Sequence, residues 1–151
     1  MTAKETKLLK FIANSSQFVI PIYQRTYSWT EQECFQLWQD ILRAGANEKI
    51  GAHFIGSVVY VQDGNYSVSA QSSLLVIDGQ QRLTTVTLLL AALSDLLDDD
   101  QEIIEDFSKK KLTGRYLIDP FESGDKKYKL ILSQTDKDTL IALIDKSKVN
   151  F

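Results

Sequence analysis

The stretch that most constrains the fold is residues 74–97, where a continuous apolar run, LLVID, ends in Asp78-Gly79 and passes directly into QQRLTTVTLLLAALSDLL. A short unbroken apolar run closed by Asp-Gly reads as a buried strand. The helix predicted from Gln80 carries Leu83, Val86, Leu90, Leu93 and Leu97, and Leu88, Leu89, Ala91, Ala92 and Leu96 make it apolar nearly all round. Such a helix belongs at the centre of a core. With 151 residues to build the elements around it, one domain over 1–151 is expected.

The other segments supply those elements. Residues 4–13 place Leu8, Leu9, Phe11 and Ile12 opposite Lys4, Lys7 and Lys10, a short amphipathic helix. FVIPIY, 18–23, is extended, and Pro21 limits it to an edge or an irregular strand. Thr30 and Glu33 have capping-box spacing, so a helix of about four turns starts there, burying Phe35, Trp38, Ile41 and Leu42 and stopping near Gly45. FIGSVVYVQ, 54–62, reads as a strand, DGN at 63–65 as a hairpin turn, with the partner resuming at Tyr66 to Val68 and a loop over 69–73. The acidic run 98–102 suits the N-terminus of a helix reaching about Lys111. RYLID after Gly114 and YKLIL, 128–132, read as short strands around a loop, and Ser133 or Thr135 caps a last helix with Leu140, Ile141 and Ile144 inward. Helices and strands alternate irregularly, which predicts a mixed α/β or α+β domain.

Charge and ligand content exclude several functions. Seventeen Lys+Arg against 20 Asp+Glu give a net charge of −3, and a pI near 5.2 argues against a globally basic nucleic-acid coat, so any DNA contact is local. Cys34 is the single cysteine and His53 the single histidine, which leaves no intramolecular disulfide and too few ligands for a structural zinc site. A reducing cytoplasm fits, and the longest apolar stretch, LLLAAL at 88–93, is far short of a membrane span. The end at Phe151, just after a helix-like stretch, reads as a cut within a longer protein.

Chemistry concentrates in VIDGQQRLTTV, 76–86. Polar residues crowd the point where strand becomes helix, and the free N–H groups of a helix start form a ready anion site. Arg82 in the first turn faces the positive end of the helix dipole unless an anion compensates, and its fork suits phosphate. Gly79 lets the backbone approach closely, while Gln80, Gln81, Thr84 and Thr85 add neutral donors. On spacing alone the plain alternative stays open, with Asp78 as N-cap and Arg82 paired to a surface carboxylate. Upstream, IPIYQRTYSW interleaves Tyr23, Tyr27 and Trp29 with Gln24 and Arg25, either to stack a base beside a guanidinium or simply to pack. GAHFIGS, 51–57, has P-loop glycine spacing but no lysine and is rejected as a P-loop. His53 reads as a surface or hydrogen-bonded histidine, and the carboxylates from Asp95 to Asp106 as a solvated junction; no metal ligands are assigned.

IPIYQRTYSW, HFIGSVV and VIDGQQRLTTV, in this order, closely resemble the N-terminal domain of GmrSD-type modification-dependent restriction endonucleases, found also in related phage-defence proteins. YKLILSQTDKDTL resembles a later segment, so the likeness covers roughly residues 5–145. The resemblance implies a ParB/sulfiredoxin-like fold, a small mixed sheet with several flanking helices. It also implies a nucleoside triphosphate bound and hydrolysed at DGQQR, with Mg²⁺ as a candidate companion ion, and an HNH-type nuclease domain further along a longer chain. Carried over by position, Asp78, Gly79, Gln80, Gln81 and Arg82 match the signature, and Tyr23, Gln24 and Arg25 match its upstream YQR. ParB-like relatives have Gly-Glu-Arg-Arg where this chain has Gly-Gln-Gln-Arg, so one charge of each sign gives way to amides.

The expected catalytic set is then Asp78, Gln80, Gln81 and Arg82, and the nucleotide-binding set Tyr23, Gln24, Arg25, Gly79, Arg82, Thr84 and Thr85. Arg82 and Arg25 would grip phosphates, Gln80 and Gln81 would orient phosphate oxygens or water, and Asp78 would position a metal-bound water or the loop. DNA would be reached through the full-length protein. The competing readings are a non-catalytic module recognising DNA or protein through the YQRTYSW surface, and a direct nuclease.

Overall fold

The computed structural model describes residues 1–62 and 73–146. The turn expected at 63–65, the strand resuming at Tyr66 and the loop at 69–72 lie outside them. The buried run 74–78 forms β3 (Leu74–Asp78), with Leu74 and Val76 inward, and Gly79 turns the chain into α3 (Gln80–Leu96). On one side of β3 runs β1 (Phe18–Val19), parallel, with Phe18 opposite Leu74; on the other runs β2 (Val59–Gln62), antiparallel. β6 (Leu130–Ile131) is parallel to the far side of β1, giving a mixed sheet of order β2-β3-β1-β6. β1 is therefore internal rather than an edge strand. Pro21 costs no ladder bond because pairing has ended by then: the last donor is Ile20 N–H, to Ile131 O at 2.9 Å.

Phe18, Val76 and Leu130 from the three parallel strands meet Leu83, Val86 and Leu90 of α3 in one core. Around it lie α1 (Leu8–Asn14), which contributes Ile12, α4 (Lys109–Tyr116), which contributes Leu112 and Tyr116, and α5 (Gln134–Asp145), which contributes Leu140 and Ile144. α3 packs on both α4 and α5. Its first half is buried nearly all round, but Leu93 and Leu96 reach solvent, so centrality ends about three turns in. No helix among the described residues is long and apolar enough to cross a membrane.

Three expectations are corrected. α2 (Glu31–Ala46) starts at the Thr30/Glu33 capping box as expected and runs one residue past Gly45, but its apolar stripe is not buried. Phe35 is 60% exposed, Trp38 43%, Ile41 36% and Leu42 46%; Leu37 is the side chain that enters the core. Periodicity made the helix amphipathic, and nothing among the described residues covers that face. Second, the acidic run leads into a hairpin, β4 (Glu102–Ile104) with β5 (Phe107–Ser108), rather than a helix. Asp106 takes the left-handed turn position at φ 65° and binds Lys111 and Arg115, which draws the chain back before Ser108 caps α4. Third, Gly114, Arg115 and Tyr116 close α4, so of the RYLID strand there remains a single bridge from Ile118 to Tyr128. The FESGDKK loop contains one 3-10 turn, Gly124–Lys127.

Candidate functional site

α3 begins at Gly79, which adopts φ +92° as its N-cap, and among the described residues no side chain caps the helix. The backbone N–H groups of the first turn therefore stay open, at the positive end of the helix dipole. Asp78 stands one position before the cap and accepts Gly79 N–H through Oδ1 at 2.8 Å, bracing the turn rather than capping the helix. Space forces the glycine as much as φ does: a Cβ there would lie 2.8 Å from Ser57 O and 3.2 Å from Val58 Cα.

Arg82 leans across the segment entering β2. Its Nη1 donates to Ser57 O at 3.3 Å, and it lies so close over Gly56 (φ +112°) that a Cβ there would meet Cζ and Nη1 at 2.4 Å. The surface-carboxylate partner of the plain reading is absent: among the described residues neither Arg82 nor Arg25 forms an ion pair, and Arg25 makes no hydrogen bond. Both arginines line one cavity of about 360 Å³, together with Gln24, Trp29, Gly56, Ser57, Ile77, Asp78, Gly79, Gln80 and Gln81. That volume lies within the range of small-ligand sites, roughly 300–1,000 Å³.

Segment 24–29 forms the opposite wall and is tied to the sheet and to α3. Gln24 Nε2 donates to Ile77 O at 3.0 Å and its Oε1 accepts from Gln80 Nε2 at 3.3 Å. Gln81 Oε1 accepts from Ser28 N–H at 2.7 Å and Trp29 N–H at 3.2 Å, and its Nε2 donates to Thr26 O at 3.1 Å. Asp136 of α5 accepts Tyr27 N–H at 2.6 Å. The Tyr27 hydroxyl lies 2.9 Å from Thr85 Oγ1 and 3.3 Å from Cys34 Sγ. Burial, with the Cys34 contact behind it, pushes that phenol above its usual value.

Eight of the ten residues named for the site from sequence meet at or beside the cavity. Thr84 adjoins it through a cleft it shares with Arg25 and Asp136, but its hydroxyl donates to Gln80 O at 2.7 Å within the helix. Thr85 likewise donates to Gln81 O at 2.8 Å and faces Tyr27. Tyr23 is 72% exposed and outside the lining. Sequence reasoning did not place Gly56 or Ser57 in the lining, and it left Trp29 between stacking a base and packing; the side chain lines the cavity and also packs on the core. The GxxxxG spacing around Gly56 was visible, but without a lysine it pointed to no phosphate loop. His53 stands apart, its Nε2 3.6 Å from Asp40 Oδ2.

A family model described as the N-terminal domain of GmrSD restriction endonuclease matches residues 6–151. No curated protein matches the chain. The match takes in nearly the whole chain, including every element that builds the cavity, and the chain belongs to that family.

Proposed function

We propose that this GmrSD N-terminal domain binds a nucleoside triphosphate in the cavity at the start of α3 and hydrolyses it, as the regulatory part of a DNA-restriction or phage-defence protein acting in the cytoplasm. The observation that carries the reading is the convergence of two guanidinium groups without carboxylate partners, Arg25 and Arg82, on an uncapped helix start. An unpaired arginine beside open N–H groups accumulates positive potential that an anion relieves. Gly79 and Gly56 leave room for phosphate oxygens to approach the backbone, and Trp29 gives the wall a flat aromatic. Because phosphoryl transfer is mostly positioning and charge stabilisation, two arginines and a helix start are an adequate framework.

Among the described residues Asp78 is the one carboxylate in the lining, and with Oδ1 held by Gly79 its second oxygen is the protein atom suited to Mg²⁺ beside phosphates. Such an ion would offset phosphate charge. Cleavage of DNA falls, in this reading, to an HNH-type nuclease domain of a longer chain, with DNA reached through that full-length protein. The recognition-module alternative is left with few free aromatics: the Tyr27 hydroxyl is bonded inside and Trp29 packs on the core. The deciding experiment is calorimetric titration of the chain with each ribonucleoside triphosphate, with and without Mg²⁺, followed by phosphate release. Saturable binding lost in Arg25→Ala and Arg82→Ala is expected; no binding, or binding indifferent to both substitutions, overturns the proposal.

A further inference from the structure

Gln81 differs from the rest of the lining in where its side chain is spent. It is 6% exposed, and its amide touches three backbone groups of one segment: Thr26 O, Ser28 N–H and Trp29 N–H. Both lone pairs of the amide oxygen are thereby occupied. The stapled segment brings Arg25 and Trp29 to the cavity, and Arg25 itself makes no bond among the described residues. The place of its guanidinium is therefore set by what holds its neighbours, Gln24 on one side and Thr26 on the other. Gln24 is held through an exposed amide contact to Ile77 O, whereas Thr26 is held from within by Gln81.

We infer that Gln81 is a positioning residue: its amide staples segment 26–29 to α3 and so aims Arg25 at the helix start, acting on phosphate binding through Arg25 and not by touching phosphate. This rests on the triphosphate-site reading above. It departs from the expectation that Gln81 orients a phosphate oxygen or water, and it explains why a neutral amide serves here. A staple between backbone groups needs a donor and an acceptor on one side chain, which a carboxylate or a guanidinium lacks.

A double-mutant cycle tests it, with inorganic triphosphate titrated calorimetrically into the full chain. Gln81→Met should weaken binding about as much as Arg25→Ala, roughly 10- to 100-fold. Arg25→Ala with Gln81→Met should be no weaker than Arg25→Ala alone, while Arg82→Ala with Gln81→Met should multiply the two losses. A spectroscopic signature accompanies it. The chain has two tryptophans, so in a Trp38→Phe background the emission of Trp29 stands alone, and Gln81→Met should shift it to the red without ligand. Gln81→Glu keeps the acceptor for Ser28 and Trp29 N–H and should restore that emission toward wild type. Losses that multiply for Arg25 and Gln81 mean that Gln81 meets phosphate itself, and the inference fails; it fails equally if Gln81→Met leaves binding or Trp29 emission unchanged. If Gln81→Met does not fold, Gln81→Asn, whose shorter amide cannot span the contact, carries the same cycle. A wild-type chain that binds no triphosphate overturns the reading of the site and the inference with it, an outcome distinct from binding with multiplicative losses.

Discussion

Gly56 and Gly79 both adopt positive φ at the cavity, yet replacing each by alanine should fail in different ways. At Gly56 the added Cβ would lie 2.4 Å from Arg82 Cζ and Nη1 and 2.8 Å from Nη2, all at the end of a flexible side chain. The guanidinium can swing aside, so the stability cost is mainly that of an L-residue at φ +112°, about 1–3 kcal/mol. At Gly79 the Cβ would meet backbone, Ser57 O at 2.8 Å and Val58 Cα at 3.2 Å, which cannot rotate away. There the cost of positive φ is joined by overpacking of about 1–3 kcal/mol, for a total of about 2–6 kcal/mol.

For a domain of this size 1 kcal/mol is worth about 2–4 °C in melting temperature, so Gly79→Ala should melt about 2–12 °C below Gly56→Ala. Binding should show the complementary pattern. Gly56→Ala re-aims Arg82 and should lower triphosphate affinity nearly as far as Arg82→Ala does, and the double variant should lose no more affinity than Arg82→Ala alone. Thermal melts by circular dichroism, paired with calorimetric titration, measure both quantities on the same samples. The reasoning is refuted if Gly56→Ala binds triphosphate like wild type, or if it melts below Gly79→Ala.

Arg82→Ala removes one 3.3 Å bond to Ser57 O and no ion pair, so stability should change by less than about 0.5 kcal/mol while triphosphate binding weakens by about 1.5–3 kcal/mol; Arg82→Lys should recover only part of it, since a point charge lacks the fork. Trp38→Ser on the exposed face of α2 should alter the urea midpoint little, whereas Leu37→Ala beside it should cost about 2–5 kcal/mol; a large effect of Trp38→Ser would mean that its face is covered in solution. Tyr27 and Tyr128 both have phenols raised chiefly by burial, so above the ordinary value of 10.0 the unfolded chain has lost protons that the folded chain keeps, and stability should fall as pH rises from about 10. Urea midpoints between pH 8 and 11 should decline less in Tyr27→Phe, and an unchanged slope would count against burial as the cause.

What the sequence made legible was whatever is decided within a few residues. The Asp78-Gly79 junction, the capping box at Thr30 and the apolar first half of α3 carry their causes locally, and each element begins where those signals lie. Outcomes decided at long range were hidden. Whether the stripe of α2 would find a partner depends on what the rest of the chain leaves free, and an amphipathic period looks the same covered or bare. The acidic run became a hairpin because Lys111 and Arg115, further along, hold Asp106 in its turn. Gln81 and the groups it staples are 52 to 55 residues apart, so a buried glutamine facing backbone could not be told from one facing a ligand.

Strand direction explains why the cavity and the cleft beside it gather residues from four separate segments. β1, β3 and β6 run parallel, and in open sheets of parallel strands the crevice forms beyond their carboxyl ends. β3 delivers Asp78 to Arg82 there, and β1 delivers Gln24 and Arg25. β6 delivers Ser133, ahead of Asp136, to the adjoining cleft. β2 runs the opposite way, so it has to start where the others finish, and the residues just before it, Gly56 and Ser57, fall at the same end. Reading 54–62 as a strand without its direction therefore left Gly56 and Ser57 outside the site, although the segment itself was correctly seen as extended toward Gln62. Once the antiparallel pairing is known, the place of Gly56 beneath Arg82 follows from topology: the entry to β2 passes under a guanidinium projecting from the first turn of α3, which a Cβ there would meet at 2.4 Å and have to displace.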